Sequence, residues 1–200
     1  MVGESSNVEL YNYKNNNIKQ INTEKDSSCV CITGRFNLNE AVGVKTVIFG
    51  DDFNLPIGCD CDGMCECVST FPPNTEYIKF GKNFNQNICK LSKLEKLETL
   101  VLGENYTLPI TQLPSSLKVI SVGKNYNHPL DNLPNIEILI LGISFDMPLD
   151  MLPNSLKTLM IKNPKYSHDL MNIPVSVSEI AIRRSMNIAR PEGSTLFFIQ

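Results

Sequence analysis

The sequence contains no tryptophan, and aromatic residues make up only 8% of its 200 residues. Its 18 lysines and arginines are set against 21 acidic residues and form no basic block, so we expect no nucleic-acid-binding surface. No apolar run approaches the roughly 20 residues of a membrane-spanning helix. The N-terminus, Met1 to Asn7, lacks the apolar segment of a signal peptide. These absences predict a cytoplasmic protein that binds neither nucleic acid nor a membrane.

Catalytic motifs are also missing. The sequence has no G-x-S-x-G and no H-E-x-x-H, and its Gly-Lys pairs lack the flanking residues of a phosphate loop. His128 and His168 occupy the same repeat position two repeats apart, and we interpret them as turn residues at the solvent edge rather than as a metal or catalytic pair. We therefore expect no enzymatic activity.

What the sequence has instead is an internal repeat of about twenty residues. Leu97 to Asn105 reads L-x-x-L-x-L-x-x-N, which is a solenoid signature, and Leu117 to Asn125 repeats it with Ile120 and Val122 in place of two leucines. The position of the motif's glycine recurs as Gly50, Gly81, Gly103, Gly123, Gly142, Lys162 and Arg183. The steps between these residues are 31, 22, 20, 19, 20 and 21, so one loop is enlarged while the stack continues.

Each repeat is too short to bury its own apolar side chains, so neighbouring repeats must stack. We predict a mainly β protein with irregular return segments: a leucine-rich-repeat-like β-solenoid of about six to eight coils, with a parallel sheet on one face. Residues 1–43 are predicted to form an N-terminal cap with degenerate first coils. Residues 44–183 are predicted to form the repeats, with a cysteine-rich insertion at 58–68, and residues 184–200 a C-terminal cap.

The turn after each strand has a pattern of its own. The glycine is expected to permit a sharp exit from the strand. The asparagines two residues later are expected to be buried and to satisfy backbone groups of the turn, as at Asn83, Asn105 and Asn125. The next residue is aromatic, and the rings of neighbouring repeats should stack on one another. These residues are Phe84, Tyr106, Tyr126, Phe145 and Tyr166. Ser92 to Lys96 is the predicted site of a short helical turn.

These turns resemble the Phe-Asn-x-Pro turn of FNIP repeats, a variety of leucine-rich repeat common in social amoebae and giant DNA viruses. The matching segments are Phe53 to Pro56, Tyr106 to Pro109, Tyr126 to Pro129 and Phe145 to Pro148. A Leu-Pro-x-Ser-Leu-Lys sequence leads into the next strand at Leu113 to Lys118 and at Leu152 to Lys157. The resemblance covers about residues 44–183 and implies a repeat scaffold, located in the host cytoplasm or the virion if the protein is viral.

The third and fifth positions of each strand should project from the exposed face of the sheet. Val101, Val119, Ile138, Ile140 and Met160 then form an apolar stripe along its middle, and an exposed stripe of this kind usually marks a contact surface. The predicted partner-binding residues are Tyr77, Lys79, Thr99, Val101, Val119, Ser121, Ile138, Ile140, Thr158 and Met160. The alternative is that residues 184–200, which include the apolar Leu196 to Ile199, cover the stripe within the chain.

Four of the seven cysteines lie in the insertion: Cys59, Cys61, Cys65 and Cys67. Four thiolates can close a tetrahedral zinc site, although the C-x-C spacing is tighter than the usual one. Disulfides and free thiols are the alternatives, and the lack of a secretion signal disfavours disulfides. No cofactor other than zinc is expected.

The leading hypothesis from the sequence is a non-enzymatic scaffold that binds a protein through the exposed face of the repeat sheet. The second is a structural subunit that associates with itself through the same stripe, as a homodimer or a virion component. The third is a metal- or redox-responsive protein that uses the loop from Cys59 to Cys67.

Overall fold

The computed structural model describes residues 43–57, 71–183, 189–190 and 192–199, together with the backbone of residues 29–32. Within them, nine strands form one sheet whose spatial order is the order of the sequence. All neighbouring strands are parallel. The strands are β1 (Cys29–Ile32), β2 (Thr46–Phe49), β3 (Tyr77–Lys79), β4 (Thr99–Val101), β5 (Val119–Ser121), β6 (Ile138–Leu141), β7 (Thr158–Ile161), β8 (Glu179–Arg183) and β9 (Thr195–Ile199).

The chain therefore winds as a solenoid, with each return segment leading to the adjacent parallel strand, and the predicted fold is confirmed. A five-residue 3₁₀ helix at Cys89–Lys93 lies between β3 and β4. It overlaps the predicted helical turn but begins before Ser92. Strand β1 lies in the predicted N-terminal cap and β9 in the predicted C-terminal cap, and both extend the repeat sheet.

The core is built from rows of aliphatic side chains that the strand register places one above another. The central inward row has an exposed fraction of 0% at every member: Val47, Ile78, Leu100, Ile120, Leu139, Leu159 and Ile180. Burying one such side chain fully contributes about 1.5–3 kcal/mol. Each coil contributes one side chain to this row and cannot bury it alone. The stabilisation therefore exists only when the neighbouring coils are folded.

A column of aromatic rings runs beside the aliphatic core. Phe84, Tyr106, Tyr126, Phe145 and Tyr166 stack in sequence with centroid separations of 6.2, 6.3, 6.4 and 6.4 Å. Phe53 extends the column below Phe84 at 6.0 Å. The interplanar angles are 4–19°, so the rings are nearly parallel. The predicted stacking of the turn aromatics is confirmed.

A column of glycines marks the place where successive backbones approach most closely. A Cβ added to Gly81, Gly103, Gly123 or Gly142 would lie 1.7–2.1 Å from the carbonyl oxygen of the glycine one coil earlier. Among the described glycines a positive φ occurs only at Gly193. The expectation that these glycines serve a sharp exit was therefore wrong: they are required because a side chain would collide with the preceding coil.

The glycine column ends at Gly142, because Lys162 occupies the next position. Its neighbour Asn163 is buried, with an exposed fraction of 7%. The Asn163 side chain donates to the carbonyl of Phe145 at 3.0 Å and accepts the N–H of Lys165 at 2.8 Å. These two bonds satisfy the buried amide and stabilise a turn that is one residue longer than its equivalents.

The asparagine of the Phe-Asn-x-Pro turn, or the aspartate that replaces it at Asp146, links its coil to the next one. Its side-chain oxygen accepts the backbone N–H of the equivalent residue one coil later, at 2.8 Å from Asn54 to Asn85 and 3.0 Å from Asn85 to Thr107. The same bond is 2.8 Å from Asn127 to Asp146 and 2.7 Å from Asp146 to Ser167. These side-chain bonds continue the direct backbone bonds that join successive turns two residues earlier, such as the 2.9 Å bond from the Asn105 N–H to the Lys82 carbonyl.

The second set of asparagines behaves differently from our expectation. Asn83 and Asn125 are exposed and Asn105 is half-buried, so these amides are not in the core. They bond to one another instead, with Asn105 Nδ2 2.9 Å from Asn83 Oδ1 and Asn125 Nδ2 3.0 Å from Asn105 Oδ1. Stacking at fixed register brings equivalent amides within reach of each other, and a single repeat gives no sign of this.

Thr107→Asn is expected to stabilise the protein. Thr107 interrupts the ladder, since no bond from the Asn127 N–H to the Thr107 side chain is found in the described part of the chain, and an asparagine there can accept it. One added hydrogen bond contributes about 0.5–1.5 kcal/mol, measured as a higher urea midpoint. Thr107→Val is the matched control and should lose stability, because Asn85 Nδ2 donates to the Thr107 hydroxyl at 3.1 Å. Equal midpoints for the two variants would contradict the ladder.

Candidate partner-binding face

The outward face of the sheet consists of two parallel rows of side chains. In strands β3 to β7 one row holds Tyr77, Thr99, Val119, Ile138 and Thr158, and the other holds Lys79, Val101, Ser121, Ile140 and Met160. Successive members lie on adjacent strands, about 4.8 Å apart. The structure thus brings all ten residues singled out in the sequence onto one face. Lys79 is exposed and the other nine are half-buried.

The apolar stripe, Val101, Val119, Ile138, Ile140 and Met160, lies in the middle of this face. Val119 pairs with Ile138, and Ile140 pairs with Met160, so the stripe is continuous across β5, β6 and β7. Strand β9 pairs beside β8 in the same sheet. The alternative that Leu196 to Ile199 fold back over the stripe was therefore wrong.

A row of charged residues borders the face just before each strand begins. Lys45 pairs with Glu76 at 2.8 Å, Lys118 with Glu98 at 2.6 Å, and Lys157 with Glu137 at 2.7 Å. The hydrogen bond to Glu98 raises the pKa of Lys118, and the hydrogen bond from Lys157 lowers the pKa of Glu137. Exposed pairs of this kind add little to stability. Their consequence is a border without net charge.

The structure adds residues to the outward face that the repeat pattern did not predict. The row of Ile140 and Met160 continues through Ala181 on β8 to Phe197 on β9. Phe197 is an exposed aromatic with an exposed fraction of 49%. Arg183 pairs with Ile199, only 16 residues later (199 − 183), whereas the previous step of the repeat is 21. The periodicity therefore does not find β9, although its apolar composition was visible.

The two histidines are explained by hydrogen bonds between coils. His128 Nε2 lies 2.7 Å from the carbonyl oxygen of Thr107, and His168 Nε2 lies 3.1 Å from that of Asp146. Each ring also packs edge-on against the tyrosine of its own turn. Both are half-buried turn residues, each bound to the coil before it, and they do not meet.

The predicted zinc ligands Cys59, Cys61, Cys65 and Cys67 lie outside the described residues, and zinc binding there stays a prediction. Among the residues that the structure describes, no group of three histidine, cysteine or acidic side chains is placed to hold a metal ion. Cys89 is a half-buried free thiol. No helix in the described ranges is long and apolar enough to cross a membrane.

The stacked parallel strands and return segments define a leucine-rich-repeat-like β-solenoid, an architecture whose extended surfaces usually bind other proteins. Within that class, residues 126–163 match the family model of the FNIP repeat, and the resemblance stated from the sequence is confirmed.

Two similar proteins agree with this assignment. An FNIP repeat-containing protein of Dictyostelium discoideum is 28% identical over 129 residues, which cover 64% of this chain and 21% of that protein. The crystal structure of CroV588, a circular LRR protein, has a TM-score of 0.62 and 25% identity, and the match covers 78% of this chain and 27% of that one. The chain thus spans about a fifth of the first protein and a quarter of the second.

Proposed function

We propose that this protein is a scaffold that binds a partner protein through the outward face of its parallel sheet. The observation that carries the proposal is the apolar stripe, whose five half-buried side chains lie at the centre of the outward face. Contiguous apolar surface of this kind is characteristic of contact sites. The ordered strands beneath it hold the face rigid, so binding requires little ordering of the scaffold.

The charged border supports a mainly apolar contact. Its three lysines and three glutamates are already paired with one another. A strongly charged partner would have to break those pairs, whereas an apolar partner surface buries the stripe without disturbing them. Association through the stripe is therefore expected to depend weakly on salt.

The double variant Ile138→Asp/Ile140→Asp is expected to abolish partner binding while the fold remains intact. Both side chains point away from the core, and two carboxylates placed at the centre of the contact would have to be desolvated on binding. Affinity capture from an extract of the source organism, followed by titration of the captured partner, measures the loss. Circular dichroism and the urea midpoint establish that the variant is folded.

The matched control is Gln112→Asp/Asn132→Asp, which adds the same charge at two exposed positions of the return segments. This control should bind the partner as the unmodified protein does. Partner binding that survives in a folded Ile138→Asp/Ile140→Asp protein would show that the stripe is not the site.

Self-association is a second candidate because the same stripe is apolar and bordered by neutral ion pairs, so two copies can face each other without charge repulsion. Light scattering across a range of concentrations decides between the two candidates. A mass of 22.4 kDa at all concentrations rules out a stable homodimer. A doubled mass that reverts to the monomer in Ile138→Asp/Ile140→Asp supports it.

A further inference from the structure

Near the C-terminal end of the face, one of the two outward rows contains a small side chain between two large ones. Ala181 on β8 lies between Met160 on β7 and Phe197 on β9 in the strand register. Ala181 has an exposed fraction of 7%, and Phe197 one of 49%. A short side chain flanked by two long ones about 4.8 Å away on either side makes a recess with an apolar floor and walls.

Two charged residues stand at the ends of this recess. Glu179 and Arg183 lie on the same face of β8 as Ala181, two residues before and after it. The Glu179 carboxylate accepts a hydrogen bond from the Thr158 hydroxyl at 3.0 Å. Neither residue forms an ion pair with any other described residue, in contrast to the paired charges of the border.

The Arg183 side chain also indicates that a ligand group is missing from this site. Its Nε is buried and has no hydrogen-bond partner within the described part of the chain. A buried guanidinium N–H without an acceptor is costly, and a carboxylate is the partner that matches its geometry best. An acidic group arriving with a ligand would satisfy this nitrogen.

We propose that this recess anchors the partner, and that it takes an extended peptide segment with an apolar side chain between a basic and an acidic residue. In such a segment the three side chains recur at every second residue, as Glu179, Ala181 and Arg183 do in β8. The spacing between the two charges, about 13 Å over four extended residues, is then the same in the peptide as in β8. The inference rests on the proposed partner-binding function and specifies its ligand.

Synthetic peptides test the recess directly. The probes are fluorescein-labelled peptides with the central sequence Lys-Ser-Leu-Ser-Asp and two like-charge controls, Lys-Ser-Leu-Ser-Lys and Asp-Ser-Leu-Ser-Asp. Fluorescence anisotropy at low salt should show about tenfold tighter binding of the mixed-charge peptide than of either control. Equal binding of all three peptides, or binding of none at about 1 mM protein, would overturn the proposal.

Two substitutions change the recess in opposite ways. Glu179→Lys should reverse the preference, so that the Asp-Ser-Leu-Ser-Asp peptide becomes the tightest ligand, because both ends of the site are then basic. Ala181→Leu fills the floor and should weaken binding of the mixed-charge peptide about tenfold. If Ala181→Leu fails to fold, Phe197→Ala, which removes one exposed wall, gives the same readout. An unchanged preference in folded Glu179→Lys would count against the site.

The variant Ile138→Asp/Ile140→Asp separates the two proposals. Its changes lie on β6, two strands from Ala181 and one strand from the Met160 wall, so it should still bind the mixed-charge peptide within about twofold of the unmodified protein. If this variant no longer binds the partner protein, and the peptide binds neither the variant nor the unmodified protein, the proposed partner-binding face is supported and the proposed peptide site is contradicted.

Discussion

Gly123→Ala is expected to lower the free energy of unfolding by about 3 kcal/mol or more. The added Cβ would lie 1.7 Å from the carbonyl oxygen of Gly103 and 2.5 Å from its carbonyl carbon. Backbone atoms cannot rotate away as a side chain can, so the two coils must separate. Separation would strain the backbone bonds between these two coils, such as the 2.8 Å bond from the Leu102 N–H to the Ser121 carbonyl.

Gly43→Ala is the matched control for this change. A Cβ at Gly43 meets nothing within 4 Å, so the same substitution should alter stability by no more than about 0.5 kcal/mol. Urea unfolding followed by circular dichroism compares the two variants. If both unfold at the same urea concentration, the glycine column does not set the distance between coils.

The second large effect is a loss of stability in alkaline solution. Burial raises the pKa of Tyr126 to about 12, and it raises the pKa of Tyr106 and Tyr166 further above the ordinary value. The folded state holds the phenol protons more tightly than the unfolded chain, which releases them near pH 10. Stability is therefore complete below pH 10 and falls above it, by about 1.4 kcal/mol per pH unit for each tyrosine until its folded pKa is reached.

Urea midpoints at pH 8, 9.5 and 11 measure this loss, and absorbance at 295 nm counts the phenolates. Replacing all three tyrosines by phenylalanine should flatten the decline between pH 9.5 and 11. A decline equally steep in the triple variant would assign it to other groups, such as the lysines.

The single substitutions at neutral pH should differ in sign. The Tyr106 and Tyr126 hydroxyls are buried without a hydrogen-bond partner among the described residues, so Tyr106→Phe should be neutral or stabilising. Burial raises the pKa of Tyr126 and the backbone of Ile110 partly offsets that rise, although the hydroxyl has no hydrogen-bond partner among the described residues. The Tyr166 hydroxyl donates to the Met147 carbonyl at 3.0 Å, so Tyr166→Phe should cost about 0.5–1.5 kcal/mol.

The repeat architecture makes these effects cooperative. Each coil is buried by its neighbours, so a collision at Gly123 or an ionised ring at Tyr126 acts on a junction between coils. Both residues lie in the middle of the stack. We therefore expect loss of the whole fold rather than local fraying.

The sequence by itself determined the winding of the chain. Its apolar residues recur at a fixed interval, and an interval too short for a self-contained core can be satisfied only by stacking. The inward aliphatic row, the aromatic column and the two outward rows all followed from that interval. The equivalence of Leu100, Ile120 and Leu139 in the structure is the equivalence visible in the sequence.

Only the tertiary structure decided which atoms of neighbouring coils meet. A sequence pattern assigns residues to repeat positions but does not fix distances between coils, so it gave the wrong reason for the glycines and the wrong environment for Asn83, Asn105 and Asn125. It also missed the place of β9, because Phe197 joins the sheet after a connection shorter than the repeat. The recess at Ala181 exists because three strands from different coils lie side by side, a proximity that no linear spacing encodes.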